Sequence, residues 1–284
     1  MQEATRAAVS PENMRVGISG SAALPTPIKK AWMDLSRGNV LLERYGMTEV
    51  GMALSCGLDF GDRVDASVGW PLPTVQARLV DVDTGEIIAP GEDIDPKTGR
   101  ERSGEIQLRG PTIFKEYWRN PTATAKEFVS DPDGQGSWFK TGDVAVRRPV
   151  PEAARAQAWT NGPMYFIQGR KSADIIKTGG EKVSALEVER ELLSLPEVSE
   201  AAVVAVPSGK WGHKVGAVLI LDRDVVETWT PMAMRRALKS RLANYKIPQV
   251  MRVVDHIPRN AMGKINKKEL VKSIFKDDHS GDEM

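Results

Sequence analysis

The sequence predicts a mixed α/β and α+β chain in which an α/β stretch runs into a β-rich subdomain and a small α+β unit follows. Three observations carry this prediction. A short strand, a small-residue turn and a helix come first. The middle is a series of β-like segments separated by Gly and Pro turns. After Gly169-Arg170-Lys171, strands and helices alternate as they do where helices pack on a small sheet. A length of 284 residues suffices for two domains with real cores.

The first strand is expected over Arg15 to Ser19, the turn over Gly20 to Pro25, and a helix start at Pro27. Val40 to Leu42 reads as another apolar strand leading into a loop. The β-rich part comprises Gln76 to Asp81, Glu105 to Arg109 and Val144 to Arg147. Asp83-Thr84-Gly85 suits a hairpin turn between Leu79-Val80 and Ile87-Ile88. Pro90 to Arg102 and Arg148 to Gly162, rich in turn-forming and small residues, are expected to be solvent loops. In the last unit, Ser184 with Glu187 three residues later forms a capping box ahead of Leu186, Val188, Leu192 and Leu193. Strands at Ala201 to Val206 and Gly216 to Leu221, a helix opened by Thr230-Pro231 and a strand at Val250 to Val254 follow. The expected domains are residues 1–170 and 171–274, with a charged, mobile tail over 275–284.

Balanced charge narrows the function. With 39 basic and 38 acidic side chains the formal charge is +1, which gives no reason to expect a basic face for nucleic acid. The lone Cys56 cannot form an internal disulfide, so the chain reads as intracellular and the thiol as a buried structural one. Met1 to Arg15 holds no apolar run for a signal peptide or membrane span, and Glu3 and Glu12 argue against a transit peptide.

Several segments carry candidate chemistry, each with a plainer structural alternative. Gly20-Ser21-Ala22-Ala23-Leu24-Pro25 would let a flat group lie against the backbone, or is an ordinary turn. Tyr45-Gly46-Met47-Thr48-Glu49 gathers a ring, a hydroxyl and a carboxylate in a loop after a strand. The ring could stack on a base, Thr48 could donate to phosphate and Glu49 could reach Mg²⁺; a helix-start Thr-Glu pair is the alternative. Trp138-Phe139-Lys140-Thr141-Gly142-Asp143 sets an acid after a Gly turn, where it could accept hydrogen bonds from ribose hydroxyls or simply close the turn. Gly169-Arg170-Lys171-Ser172, Asp174 to Lys182 and Pro258-Arg259-Asn260-Ala261-Met262-Gly263-Lys264-Ile265 are Gly-Lys-rich loops. Such loops suit phosphate or carboxylate oxygens, and any single lysine in them could be only a solvated side chain.

Together and in this order, these segments resemble the family of acyl-CoA synthetases, luciferases and nonribosomal adenylation domains, from about Gly17 to Lys272. Gly104-Glu105-Ile106, Gly110-Pro111 and Tyr117-Trp118-Arg119-Asn120-Pro121 fill the expected places between the motifs. The resemblance implies the C-terminal part of the adenylate-forming large domain plus the small C-terminal domain. It also implies an AMP-forming acid–thiol ligase that takes ATP, CoA and a carboxylic acid and uses Mg²⁺. By the same resemblance Gly20, Ser21, Ala22, Tyr45, Gly46, Met47 and Thr48 line the adenine and acyl-phosphate walls. Thr48 and Glu49 take catalytic positions, with Glu49 as the metal ligand. Asp143 and Arg170 contact the ribose, Lys171 is the hinge, Gly179 and Gly180 meet CoA, and Lys264 bridges the attacking carboxylate and the α-phosphate.

Arg44 stands directly before the nucleotide motif, where a guanidinium could pair with the second carboxylate of malonate, or only pair with Glu43 or support the loop. The segments around it resemble malonyl-CoA synthetases, and Ile175 to Gly180 with Val183 to Glu189 are most similar to the mitochondrial type. Methylmalonate, a medium-chain or other acid, and a carrier-loading adenylation domain are the alternatives. The family places a Ser/Thr/Gly-rich loop ending in Pro-Lys upstream of Gly20; Pro207-Ser208-Gly209-Lys210 is no substitute. Impaired activity is therefore expected, and a non-catalytic remnant is the alternative from another class.

Overall fold

A computed structural model describes residues 3–131, 134–209, 211–261 and 263–276. Contacts divide the chain into two units, Met1–Ile167 and Gln168–Met284. Among the described residues no helix is long and apolar enough to cross a membrane.

The first unit opens with α1 (Glu3–Ala8), β1 (Ile18–Ser19) and α2 (Thr26–Leu35). Pro25 and Pro27 fix the entry of α2, because proline suits the first helical turn where its missing N–H has no intrahelical partner. Then come β2 (Leu42–Met47), β3 (Gly51–Ser55) and β4 (Trp70–Pro71), which complete a four-stranded sheet in the order β1-β2-β3-β4. Only the β1–β2 pairing is parallel, with Ile18 opposite Leu42 and Ser19 opposite Glu43. Tyr45 to Met47 was expected in a loop and lies instead in β2. Gly46 explains why: it sits at a register shift against β3, where any side chain would collide with the Gly51 carbonyl.

The second sheet contains β5 (Gln76–Asp81), β6 (Ile87–Ile88), β7 (Gly104–Arg109), β8 (Phe128–Ser130), β9 (Ser137–Arg148) and β10 (Met164–Arg170). Helix α3 (Pro121–Glu127) lies between β7 and β8. The strand order is β10-β9-β7-β5-β6, with β8 also on β9. The Asp83–Gly85 turn joins β5 and β6 as the sequence predicts, Leu79 facing Ile88 and Val80 facing Ile87. Leu54, Leu79, Ile106, Leu108 and Phe139 pack in one core under both sheets.

The two expected solvent loops are tied down. The side chain of Arg147 is 3% exposed. Its Nε lies 2.7 Å from Asp93 Oδ1, and its Nη2 donates to the Ile88 and Ala89 carbonyls, so Asp93 anchors the 90–102 segment. In the 148–162 segment, fully buried Asp62 accepts the Arg155 and Ala156 N–H groups, and Val150 and Ala153 join Trp70, Met164 and Phe166 in a core. Most of their residues are exposed, as expected of solvent loops, and both are anchored in the same way. Polar loops are held by a buried ion on a neighbouring element, which local composition does not reveal.

Cys56 is buried, with its Sγ 3.4 Å from the Ser67 carbonyl. Burial, with a contribution from Glu43, pushes its pKa up to about 12. The folded thiol should resist iodoacetamide at pH 8 and react only on unfolding. Because the folded pKa is raised, the folded state holds the proton longer. Its contribution to stability is whole below the ordinary thiol range and is lost as the pH rises toward 12, which denaturant melts at pH 8 and 10 would register.

In the second unit, β11 (Ile175–Thr178), β12 (Glu181–Ser184), α4 (Ala185–Leu193), β13 (Val198–Ser208) and β14 (Gly212–Leu221) come first. They are followed by α5 (Pro231–Leu238), β15 (Val250–Val253) and α6 (Lys267–Ile274). The sheet runs β12-β11-β14-β13, and β15 pairs in parallel with β14. The run Ala201 to Val206 is apolar throughout because both faces of β13 are covered. Val203 faces α4 and α5; Ala202, Val204 and Val206 face α6.

Ser184 caps α4 by accepting the Glu187 N–H, but the reciprocal half of the expected box is absent. Both Glu187 oxygens accept from Lys246 Nζ at 2.7 Å. The tail was expected to begin at Phe275, yet this ring is fully buried and lies over Gly216, where an added Cβ would stand 3.3 Å from its Cζ. The rest of the expected tail, from residue 277, lies outside the described residues.

Candidate active site

The parallel pairing of β1 and β2 brings their carboxyl ends to one edge, the usual place for a ligand in an open α/β sheet. Gly20 to Ala22 leave β1 there, and Arg44 to Met47 form the carboxyl-end part of β2, with Thr48 just past it. Gly20 has no Cβ to obstruct Arg44; one would stand 3.2 Å from the Arg44 carbonyl and 3.5 Å from its Cγ. Ser21 adopts φ +68°, a left-handed conformation that only a few per cent of non-glycine residues take.

Strand alternation separates Arg44 from Glu43. Glu43 points to the buried side, where Lys29 Nζ lies 3.5 Å from its Oε1 and 3.0 Å from Asp65 Oδ1. The Arg44 side chain emerges on the opposite face, half-buried, with no hydrogen-bond or ionic partner among the described residues. The alternative in which Arg44 is neutralised by its neighbour is not what the strand does.

Tyr45 and Asp143, far apart in sequence, meet: the Tyr45 hydroxyl donates to Asp143 Oδ2 at 2.7 Å. Asp143 was expected after a Gly turn, and the structure puts it at an irregularity inside the long strand β9. Gly142, at φ +72°, makes that bulge. The Gly142 N–H donates to Glu105 Oε1 (3.0 Å), the Thr141 hydroxyl donates to the Ile106 carbonyl (2.8 Å), and the Asp143 N–H donates to Thr141 Oγ1 (3.1 Å). Each residue of Thr141-Gly142-Asp143 thus has a part in aiming one carboxylate, which is itself buried.

Glu49 follows β2. Its carbonyl accepts the Phe114 N–H (2.8 Å), and its Oε1 accepts the Tyr117 hydroxyl (3.0 Å). Tyr117 and Glu105 served only as spacing marks in the sequence; the structure makes them supports for Glu49 and the Gly142 bulge. Two aromatic or acidic residues beside a motif gave no local signal of those contacts. Among the described residues no group of three or more acidic, His or Cys side chains could hold a metal. Glu49 offers a carboxylate oxygen of the kind Mg²⁺ takes, an ion that usually completes its shell with water and phosphate oxygens.

In the second unit, Arg170 and Lys171 are exposed at the end of β10, and the Arg170 N–H donates to Asp174 Oδ2 at 2.9 Å. Gly179 and Gly180 form the two-residue turn between β11 and β12, with Thr178 opposite Glu181 and φ of +56° and +85°. A tight hairpin of this kind requires positive φ at both positions, so the fold alone accounts for the glycines. The Trp211 ring packs on Gly179, and the Gly179 N–H donates to the Trp211 carbonyl (3.1 Å). Lys264 lies in a closed loop: the Asn260 N–H donates to the Lys264 carbonyl, and the Lys264 N–H donates to Asn260 Oδ1, both at 2.9 Å. Its side chain is exposed and has no partner among the described residues.

These segments are the ones whose order in the sequence resembles the adenylate-forming family. The model of the AMP-binding enzyme family matches residues 2–118, and that of the AMP-binding enzyme C-terminal domain matches residues 187–264; the chain belongs to this family and has its mixed α/β fold. Among relatives, a CoA ligase of Gibberella moniliformis is 63% identical over 97% of this chain and 46% of its own length. A mitochondrial malonate–CoA ligase of Mus musculus is 42% identical over 94% of this chain and 44% of its own length. ATP-bound MatB from Rhodopseudomonas palustris is 35% identical, superposes with a TM-score of 0.74, and is matched over 95% of this chain and 48% of that one. The chain spans less than half the length of these relatives.

Proposed function

We propose that this chain carries part of the site of an ATP-dependent acid–CoA ligase whose acid is malonate. The observation that carries the reading is Arg44: a half-buried guanidinium, unpaired among the described residues, beside Gly20 and next to Tyr45. A cation so placed matches an acid that keeps a second carboxylate after activation, and two parallel N–H···O bonds would fix its orientation. The malonate–CoA ligases among the relatives support the same acid.

In the first half-reaction a carboxylate oxygen of the acid attacks the α-phosphorus of ATP, and the bond to pyrophosphate breaks. Lys264 offsets the repulsion between these anions and stabilises charge building on the phosphoryl group. Asp143, held by Tyr45 and the Gly142 bulge, and Arg170 take the ribose hydroxyls. Gly20 to Ala22 and Tyr45 to Thr48 wall the adenine and acyl phosphate. Glu49 would hold Mg²⁺, which supplies charge neutralisation at the phosphates when bound. In the second half-reaction the small domain turns at Lys171 and presents the Gly179-Gly180 hairpin. The CoA thiol sulfur then attacks the acyl carbon and AMP leaves. The mitochondrial vertebrate relatives support that compartment for this chain.

The test is AMP release with malonate, methylmalonate, acetate and a medium-chain acid, on this chain alone and extended upstream to its relatives' length. Malonate is expected to give the highest kcat/KM. Preference of the extended protein for the medium-chain acid would refute the assignment of the acid, and AMP release with none of them would refute the ligase.

A further inference from the structure

Lys267 opens α6, three residues past Lys264. Its side chain is 12% exposed, with Nζ 2.5 Å from Asp174 Oδ1 and 2.8 Å from Glu189 Oε1. Asp174 ends the turn that leaves β10: its other carboxylate oxygen accepts the Arg170 N–H, and its carbonyl accepts the Ala185 N–H at 2.8 Å. Glu189 lies in α4 and accepts the Val203 N–H of β13 at 2.8 Å. One ammonium therefore joins the β10–β11 turn, α4 and the start of α6. Gly169 is part of the arrangement, since at φ +121° any side chain there would collide with that of Asp174.

Two carboxylates enclosed this closely repel unless a cation lies between them. Burial works against the charge on Lys267, but Glu189 and Asp174 outweigh it and hold its pKa above the ordinary lysine value. The cluster keeps its cation at neutral pH.

The Lys264 loop has a second tether at its other end. Arg259 donates to Glu200 Oε2 (2.7 Å) and to the Gly263 carbonyl (3.1 Å). Both partners of that ion pair are more than 40% exposed, where solvent screens the attraction and such pairs hold little. Removing one member of a buried cluster leaves uncompensated charge, a far larger perturbation. The Lys267 end is the firm one.

We propose that Lys267 is a positioning residue for Lys264: it fastens the base of the Lys264 loop to the Arg170–Asp174 turn, so that loop and turn move as one body. Lys267 touches no reactant and acts through Lys264. The coupling stands on geometry within one unit, and only the name of the step it serves rests on the proposed function.

Amide hydrogen exchange on the whole chain tests the coupling without activity. Lys267→Met should speed exchange about tenfold or more at Asn260, Gly263 and Lys264 and, together with them, at Arg170 and Asp174, while Val218 and Leu219 in β14 stay protected. Lys267→Arg should restore most of the protection. A rise in only one of the two segments, or in neither, would overturn the proposal. Should Lys267→Met fail to fold, Asp174→Asn is read in the same way.

Kinetics add the functional arm. Where the wild type forms acyl-adenylate, Lys267→Met should lower kcat for that step about tenfold with the acid KM within twofold, and should spare thioester formation from supplied acyl-adenylate. Equal loss of both steps would overturn the positioning role. Absence of adenylate formation by the wild type would instead refute the proposed function, and the exchange result would decide on Lys267 alone.

Discussion

Lys264→Ala is expected to slow acyl-adenylate formation by about 100-fold to 1,000-fold, the usual cost of losing one preorganised group that stabilises transition-state charge. Thioester formation from supplied malonyl-adenylate should stay within about threefold of wild type, because no anion then has to approach the α-phosphate. The structure makes the experiment clean. The Lys264 loop is closed by backbone groups and Asn260, not by the lysine side chain, which is exposed. Truncation should therefore change stability by no more than about 0.5 kcal/mol, as for other exposed positions. Pyrophosphate release with malonate and thioester formation from synthetic malonyl-adenylate, measured on the same preparation, separate the two steps. Equal loss of both would remove Lys264 from its assigned role. Lys264→Arg should recover only part of the first rate, since a planar guanidinium does not replace a compact ammonium between two anions.

What the sequence made legible was local. The Asp83–Gly85 hairpin, the Ser184 and Thr230 caps and the alternation in the second unit each depend on residues within a few positions of one another, and each occurs where expected. The family was legible from its motifs as a set in chain order. Their secondary structure was not. Gly46 reads as a loop glycine and Gly142 as a turn glycine, yet both accommodate irregular pairing within strands, and a glycine in a bulge has the same local sequence as one in a loop.

Other features that the sequence did not reveal share a physical origin in long-range contacts. Asp93 and Asp62 look like loop and turn acids until Arg147 and the 155–156 amides arrive from distant segments. Glu187 satisfies the capping-box pattern, but Lys246 takes its carboxylate, because a charged partner outcompetes a backbone N–H. Phe275 borders a charged stretch and was assigned with it. Its ring instead fills the space that Gly216 leaves open beneath α6. No periodicity over a few residues encodes such pairs.

Arg44→Leu is expected to lower kcat/KM for malonate by about 100-fold or more, since two charge-assisted hydrogen bonds together contribute about 3 kcal/mol and each 1.4 kcal/mol is tenfold. Acids with no second carboxylate should be activated as well as by wild type or better, because the substitution also removes a cation they would leave unpaired. Opposite responses of the two substrate classes distinguish a specificity residue from a prop for the loop. Loss of a prop would depress both classes together and would refute the role. The strand geometry favours the first outcome. Lys29, Glu43 and Asp65 secure β2 from its buried side, whereas Arg44 projects from the other face and carries no part of that network. Thermal unfolding of Arg44→Leu should accordingly resemble wild type. Glu43→Leu, by contrast, leaves the buried Lys29 with the exposed Asp65 and the Arg63 carbonyl, and should unfold at a clearly lower temperature. The two adjacent substitutions thus separate what β2 contributes to the fold from what it presents to the acid.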